Sequence, residues 1–223
     1  MGGPAAPNIV TDGLQLYYNL NDTSCWDGTS STVYDLTSNN HDATLYNSPS
    51  YSTNNGYKVL ETNGTNSYLS VSTPNLSTSN YTVMVGSRYT TTTANISNNS
   101  RLLNAVGNNW LLGHWYYTVD KHFAEGWITD SGYGDTTDTN WRIYTGTGNY
   151  SGDQYSFYIN NSVNVSNSTA GSGGPSGFAF GRRGYSEGEW AAGQLSFLLV
   201  YNKVLTTTEM TQNYNAFKDR LGL

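Results

Sequence analysis

The chain has 223 residues, with 10 basic against 16 acidic side chains and a net charge of −6, a length that suits one large domain able to bury a core without covalent staples. An acidic chain with no basic run lacks the electrostatic footprint needed to hold a phosphate backbone, so no nucleic-acid partner is expected. The single cysteine, Cys25, excludes an internal disulfide framework and a cysteine zinc site, and no run approaches the 18 apolar residues that would suggest a membrane span.

Gly, Ser, Thr and Asn together make 104 residues, and Tyr alone makes 19. Low charge and polar bias would suit disorder, but disordered chains are poor in aromatics. The composition therefore reads as an all-β domain with many polar turns and a Tyr-rich surface. Ten Asn-x-Ser/Thr triplets follow from the same composition and are read as that alone.

Residues 1–8 read as an extended arm, with Gly2, Gly3, Pro4 and Pro7 as candidate anchoring residues. They have neither the basic start nor the apolar stretch of a secretory leader. Residues 9–223 read as one domain. Leu14, Leu16 and Tyr18 alternate as on a strand, followed by Leu69 and Val71, then by Tyr81, Val83 and Val85. Around 110–117 a buried strand is expected, with either the Trp110, His114 and Tyr116 set or the Leu111, Trp115 and Tyr117 set exposed. Tyr155, Phe157 and Ile159 lead into Asn160-Asn161, a hairpin turn because Asn tolerates positive φ, and then into Val163 and Val165. Further turns are expected at 54–56, 63–66 and 146–149, and 171–177 is expected to join a hairpin. The almost wholly apolar run 195–201 predicts a strand covered on both faces.

One helix closes the chain. Thr206 and Glu209 have capping-box spacing. Met210, Tyr214, Phe217 and Leu221 then share one face, and Gly222 stands where a C-terminal cap belongs. The fold class is an antiparallel β-sandwich of jelly-roll type with a short C-terminal α-helix.

Several segments carry a family resemblance. They are Gly13-Leu14-Gln15-Leu16-Tyr17-Tyr18, the run from Val33-Tyr34-Asp35-Leu36 to Leu45, and Asn63-Gly64-Thr65-Asn66-Ser67-Tyr68-Leu69. Phe157-Tyr158-Ile159-Asn160-Asn161 and the stretch from Gly193 to Leu205, with Glu209 and Asn213-Tyr214-Asn215, complete the set. In this order they resemble the concanavalin A-like, laminin G-type jelly rolls, and most of all the copies carried by tailed bacteriophages. The resemblance implies a virion surface protein that decorates the capsid and contacts host glycans. Its implied partners are a major capsid or tail protein, a cell-surface glycan and further copies of the chain. A tail-associated receptor-binding or lectin-like module and a glycoside hydrolase of the same fold are the alternatives. No cofactor is expected. Calcium, which the family often holds, is weakened because Asn63 and Ser67 stand where the family has acids.

Residue chemistry narrows the site. Glu187 and Glu189 have the i, i+2 spacing of a glycosidase pair, but they lack strand-like flanks and read as a solvated loop. Asp135 and Asp138 read as a turn. His114 and His122 lack a carboxylate at metal-ligand spacing, and Cys25 reads as buried packing. No catalytic residue and no metal ligand is assigned. The segment 104–145 is dense in aromatics, which serve a core, a protein interface or a sugar face alike. Arg182 and Arg183 suit ion pairing with the 187–189 loop, or contact with an acidic neighbouring subunit or an acidic glycan. The candidate contact residues are Trp110, His114, Trp115, Tyr117, Trp127, Arg182, Arg183 and Trp190.

Overall fold

The computed structural model describes residues 8–92, 100–116, 118–131, 137–186 and 188–223. Gly2, Gly3, Pro4, Pro7, Tyr117, Asp135 and Glu187 lie outside them. The first strands in chain order are β1 (Leu14–Asn19), β2 (Thr32–Val33), β3 (Ala43–Tyr46), β4 (Ser50–Asn54), β5 (Tyr57–Asn63), β6 (Tyr68–Asn75), β7 (Tyr81–Tyr89) and β8 (Arg101–Asn104). They are followed by β9 (Trp110–Trp115), β10 (Thr118–Ala124), β11 (Arg142–Asn149), β12 (Gln154–Ile159), β13 (Ser162–Ser168), β14 (Ser176–Phe180) and β15 (Ala192–Tyr201). The helix α1 (Thr207–Leu221) comes last.

The strands pair into two antiparallel sheets. One has the order β13-β12-β11-β7-β15-β5-β4, with β1 also paired to β15; the other runs β10-β9-β8-β14-β6-β3-β2. Leu16, Val83, Val85, Leu198 and Val200 from the first sheet meet Leu69, Val71, Leu112, Phe178 and Phe180 from the second, forming the inter-sheet core. A register shift between Leu195 and Phe197 turns Phe197, Leu199 and Tyr201 to the other side of β15. There they form a second apolar layer with Met84 and Ile143 under Met210, Phe217 and Leu221 of α1. The run 195–201 is thus covered on both faces, as its composition requires.

Local chemistry at the helix follows the sequence. Thr206 and Glu209 form the reciprocal capping box, and Gly222 caps the C-terminus at φ 75°. Asn213 is fully buried. Its side chain accepts from the Val10 N–H and donates to the Tyr201 hydroxyl, both at 2.9 Å, and so ties the start of the domain to its end. The Asn160-Asn161 turn has φ of 49° and 65°, the left-handed pair that a two-residue hairpin needs.

Two of the motif segments are structural staples. Asp35 Oδ1 accepts the backbone N–H groups of Tyr17 and Thr37, and its Oδ2 accepts the Thr37 hydroxyl and the His41 backbone N–H. Asn63 Oδ1 accepts the N–H groups of Thr65, Asn66 and Ser67, which is the work a carboxylate would do in that turn.

Two expectations are corrected. Residues 146–148 are not a turn but lie inside β11, buried. Glycine is needed there because core side chains lie against the strand: a Cβ on Gly146 would come 2.9 Å from Leu112, and one on Gly148 2.3 Å from the Tyr81 ring. The 171–177 segment does not close a hairpin. It carries the chain from β13 in one sheet to β14 in the other. Tyrosine is shared between surface and core: Tyr34, Tyr46, Tyr51, Tyr150 and Tyr185 are exposed, while Tyr18, Tyr81, Tyr89, Tyr144, Tyr155 and Tyr201 are fully buried. Their hydroxyls make this possible by finding partners, as Tyr144 does at Asp120 (2.9 Å) and Tyr201 at the Val10 carbonyl (2.9 Å).

Candidate functional site

The outer face of the second sheet is crossed by residues 181–191, which join β14 to β15. The segment is closed at its base by the Ala191 N–H donating to the Gly181 carbonyl at 2.9 Å. Asn104 of β8 anchors its middle. Its Nδ2 donates to the Arg182 carbonyl (2.5 Å) and its Oδ1 accepts from the Gly184 N–H (2.6 Å).

Alternation explains the face beneath. Leu45 and Leu69 point into the core, so their neighbours Tyr46 and Tyr68, a cross-strand pair of β3 and β6, point outward. Their rings stack with centroids 4.5 Å apart and planes within 5°. The Arg182 guanidinium lies 3.9 Å from the Tyr68 centroid and 5.7 Å from that of Trp190. Tyr46 is 42% exposed, so this ladder presents an open ring face at one end. Beside it, Tyr185, 41% exposed, is approached by Arg183 at 5.0 Å and Arg101 at 5.9 Å.

Glu189 holds this region together. It pairs with both Arg101 and Arg183, and its side chain is 9% exposed. Arg101 donates in addition to Asn109 Oδ1 at 2.7 Å. The expectation of a solvated loop is therefore wrong for Glu189, because two guanidiniums draw its carboxylate inward. A carboxylate committed in this way is not available as a glycosidase acid or base.

The remaining expected residues separate. Trp110 and His114 are fully buried and leave the set of contact residues. Trp110 donates to the Tyr81 hydroxyl at 3.1 Å, and the His114 ring sits edge-on between Tyr89 (4.6 Å) and Tyr144 (5.2 Å). Burial lowers the His114 pKa to about 3 and that of His122 to about 4, so both rings are neutral, and His122 bonds the Leu111 carbonyl through Nδ1 at 2.8 Å. Neither face of β9 is open, contrary to expectation: Trp115, on the outer face, is buried under Trp127 at 4.7 Å. Trp127 is half-buried and packs edge-on against Phe123 at 5.1 Å. Arg182, Arg183 and Trp190 are brought together in the ladder and its flank. Tyr46, Tyr68 and Tyr185 were missed by sequence reasoning. Alternation alone puts Tyr46 and Tyr68 outward, but their pairing depends on the register between β3 and β6.

A second concavity, of about 370 Å³, opens between β10 and β13 and is lined by Asp120, Lys121, Asp130 and Asn164 among others. Its charges are neutralised internally. Asp130 meets Lys121 at 2.6 Å, and Asp120 meets Arg142 at 2.9 Å. Arg142 also grips Asp138 with two bonds of 2.7 and 2.8 Å, which hold that carboxyl down at about 2. Among the described residues no group of three or more His, Cys, Asp or Glu is placed to hold a metal ion. Cys25 is buried and its thiol is pushed up to about 12 by desolvation.

No protein-family model matches the chain, and no curated protein matches it. Solved structures do. Domain 4 of AbnA, a GH43 extracellular arabinanase from Geobacillus stearothermophilus in complex with arabinotriose, is similar with a TM-score of 0.63 at 17% identity, over 90% of this chain and 98% of that one. Trypanosoma rangeli sialidase in complex with sialic acid gives 0.66 at 15% identity, over 97% of this chain and 35% of that one. Botulinum neurotoxin type C, dependent upon interaction with two ganglioside molecules to enter cells, gives 0.63 at 14%, over 92% and 51%. The chain thus spans about a third of the sialidase and about half of the toxin chain. At these identities the likeness is one of fold, a β-sandwich.

Proposed function

We propose that this chain is a glycan-binding β-sandwich module without catalytic activity, displayed on a bacteriophage virion as a capsid decoration protein. The observation that carries the glycan reading is the exposed end of the Tyr46–Tyr68–Arg182–Trp190 ladder. Flat aromatic faces take the C–H face of a sugar ring, and adjacent polar groups take its hydroxyls. The fold supports the same reading, since AbnA domain 4 was captured with arabinotriose and the neurotoxin interacts with gangliosides. The non-catalytic reading is supported by Glu189, which is occupied by two arginines. Placement on a virion is supported by the sequence resemblance, with the 1–8 arm as the contact to a capsid or tail protein. Many copies on one particle would make a weak sugar contact effective.

A glycan array probed with the full chain tests the module. Binding to a defined glycan class, lost in a Tyr46→Ala variant, supports it; silence across a broad array overturns it. Release of reducing ends from any bound polysaccharide would overturn the non-catalytic part. Antibody labelling of intact particles tests the placement, and label confined to a tail tip would replace decoration with receptor binding.

A further inference from the structure

Three of the six arginines of this acidic chain, Arg101, Arg182 and Arg183, gather at one outer face. Arg101 and Arg183 share the Glu189 carboxylate. Arg182 has no ion pair among the described residues. Its Nε is buried without a hydrogen-bond partner, and its guanidinium carbon sits 3.9 Å over the Tyr68 ring, with Trp190 at 5.7 Å to one side. With one face over the Tyr68 ring and its Nε enclosed, the guanidinium has its terminal Nη edge left to meet a ligand, and that edge matches a carboxylate with two parallel bonds. The backbone from the Arg182 carbonyl to the Gly184 N–H is fixed by Asn104, so the edge is presented by an anchored segment. Next to it the Tyr46 ring continues the stack into solvent.

We infer that this ladder selects glycans that bear a carboxylate, with Arg182 taking the acid group and the Tyr46–Tyr68 pair the apolar face of the same or the neighbouring sugar. The inference rests on the glycan-binding reading. An acidic sugar fits better than an acidic peptide. A peptide of like charges needs a row of available cations, whereas two of the three guanidiniums here are already engaged by the Glu189 carboxylate that they share. What remains is one cation beside an open ring, which is the complement of a single uronic or sialic residue.

The test is titration calorimetry of the full chain with matched pairs: trigalacturonate against its methyl ester, and sialyllactose against lactose. At least one acid is expected to bind tenfold more tightly than its neutral partner at low salt, and the ratio is expected to shrink as salt is raised. Arg182→Gln is expected to abolish the preference, bringing the acid and neutral members within twofold of each other. Arg182→Lys, which restores charge without the planar fork, is expected to recover only part of it. An unchanged melting midpoint shows that each variant is folded. If Arg182→Gln does not fold, the acid-to-neutral ratio of the unaltered chain and its salt dependence decide the matter. Equal affinity for acid and neutral members overturns the inference and leaves the glycan reading standing. No binding to any of the four, together with a silent array, removes both. Binding of a polyglutamate peptide in place of every sugar overturns the inference in favour of a protein partner.

Discussion

The two sheets are each covered on the outside, and the covers differ in kind. Over the first sheet lies α1, whose Phe217 stacks on Phe197 with centroids 3.8 Å apart beside Met210 and Leu221. This cover is apolar, and its few polar groups are satisfied internally, as Asn213 is at Val10 and Tyr201. Over the second sheet lies the 181–191 segment, which holds on by a shared carboxylate and by guanidiniums stacked on rings. A hydrophobic seal uses up its surface in sealing. A seal of cations and aromatics leaves ring faces and N–H edges at its rim, so the second face is the one able to meet a partner.

That contrast predicts how each cover responds to change. Phe217→Ala is expected to cost about 3–5 kcal/mol of stability, measured by urea unfolding, with sugar binding intact once the protein is folded. Glu189→Gln is expected to cost about 2–4 kcal/mol, because Arg101 is left buried without its counter-charge. It should also loosen the segment enough to abolish glycan binding. A loss under 0.5 kcal/mol would mean that the polar cover is not a seal at all.

Acid tests the wall between the sheets. The unfolded histidines protonate below pH 6.5, whereas in the folded protein His122 does so only near 4 and His114 near 3. Their contribution is complete above pH 6.5 and is lost as pH falls toward those values, at about 2–3 kcal/mol per ring by pH ~4.5. His114→Phe should flatten its share of that slope in denaturation curves recorded from pH 7 to 4. Thr206→Ala, which removes the helix cap, is expected to cost about 1 kcal/mol. Tyr46→Ala is expected to move stability by no more than about 0.5 kcal/mol, as an exposed side chain does, while weakening glycan binding at least tenfold.

Much of the first cover was legible. The capping box, the apolar face of α1 and its glycine cap are all spaced within one element, so a 3.6-residue period reveals them. Little of the second was. Arg182, Arg183 and Trp190 could be picked out as a basic pair and an aromatic near a loop, but Tyr46 and Tyr68 come from strands 22 residues apart in the chain. Trp110 and His114 failed as surface residues for a related reason. β9 looks like any alternating strand until its inward rings meet Tyr81, Tyr89 and Tyr144 of the first sheet and Trp127 covers its outer face.

Turn chemistry, alternation and helix capping act between near neighbours, and they determined the sandwich, its terminal helix and the Asn160-Asn161 hairpin from the chain alone. Whether a glycine marks a turn or makes room for a ring, as Gly148 does for Tyr81, depends on what lies on the other sheet. Which tyrosines are core and which form a platform depends on strand register and on the cover laid over each face. Those are contacts across long stretches of chain, and only the tertiary structure decides them.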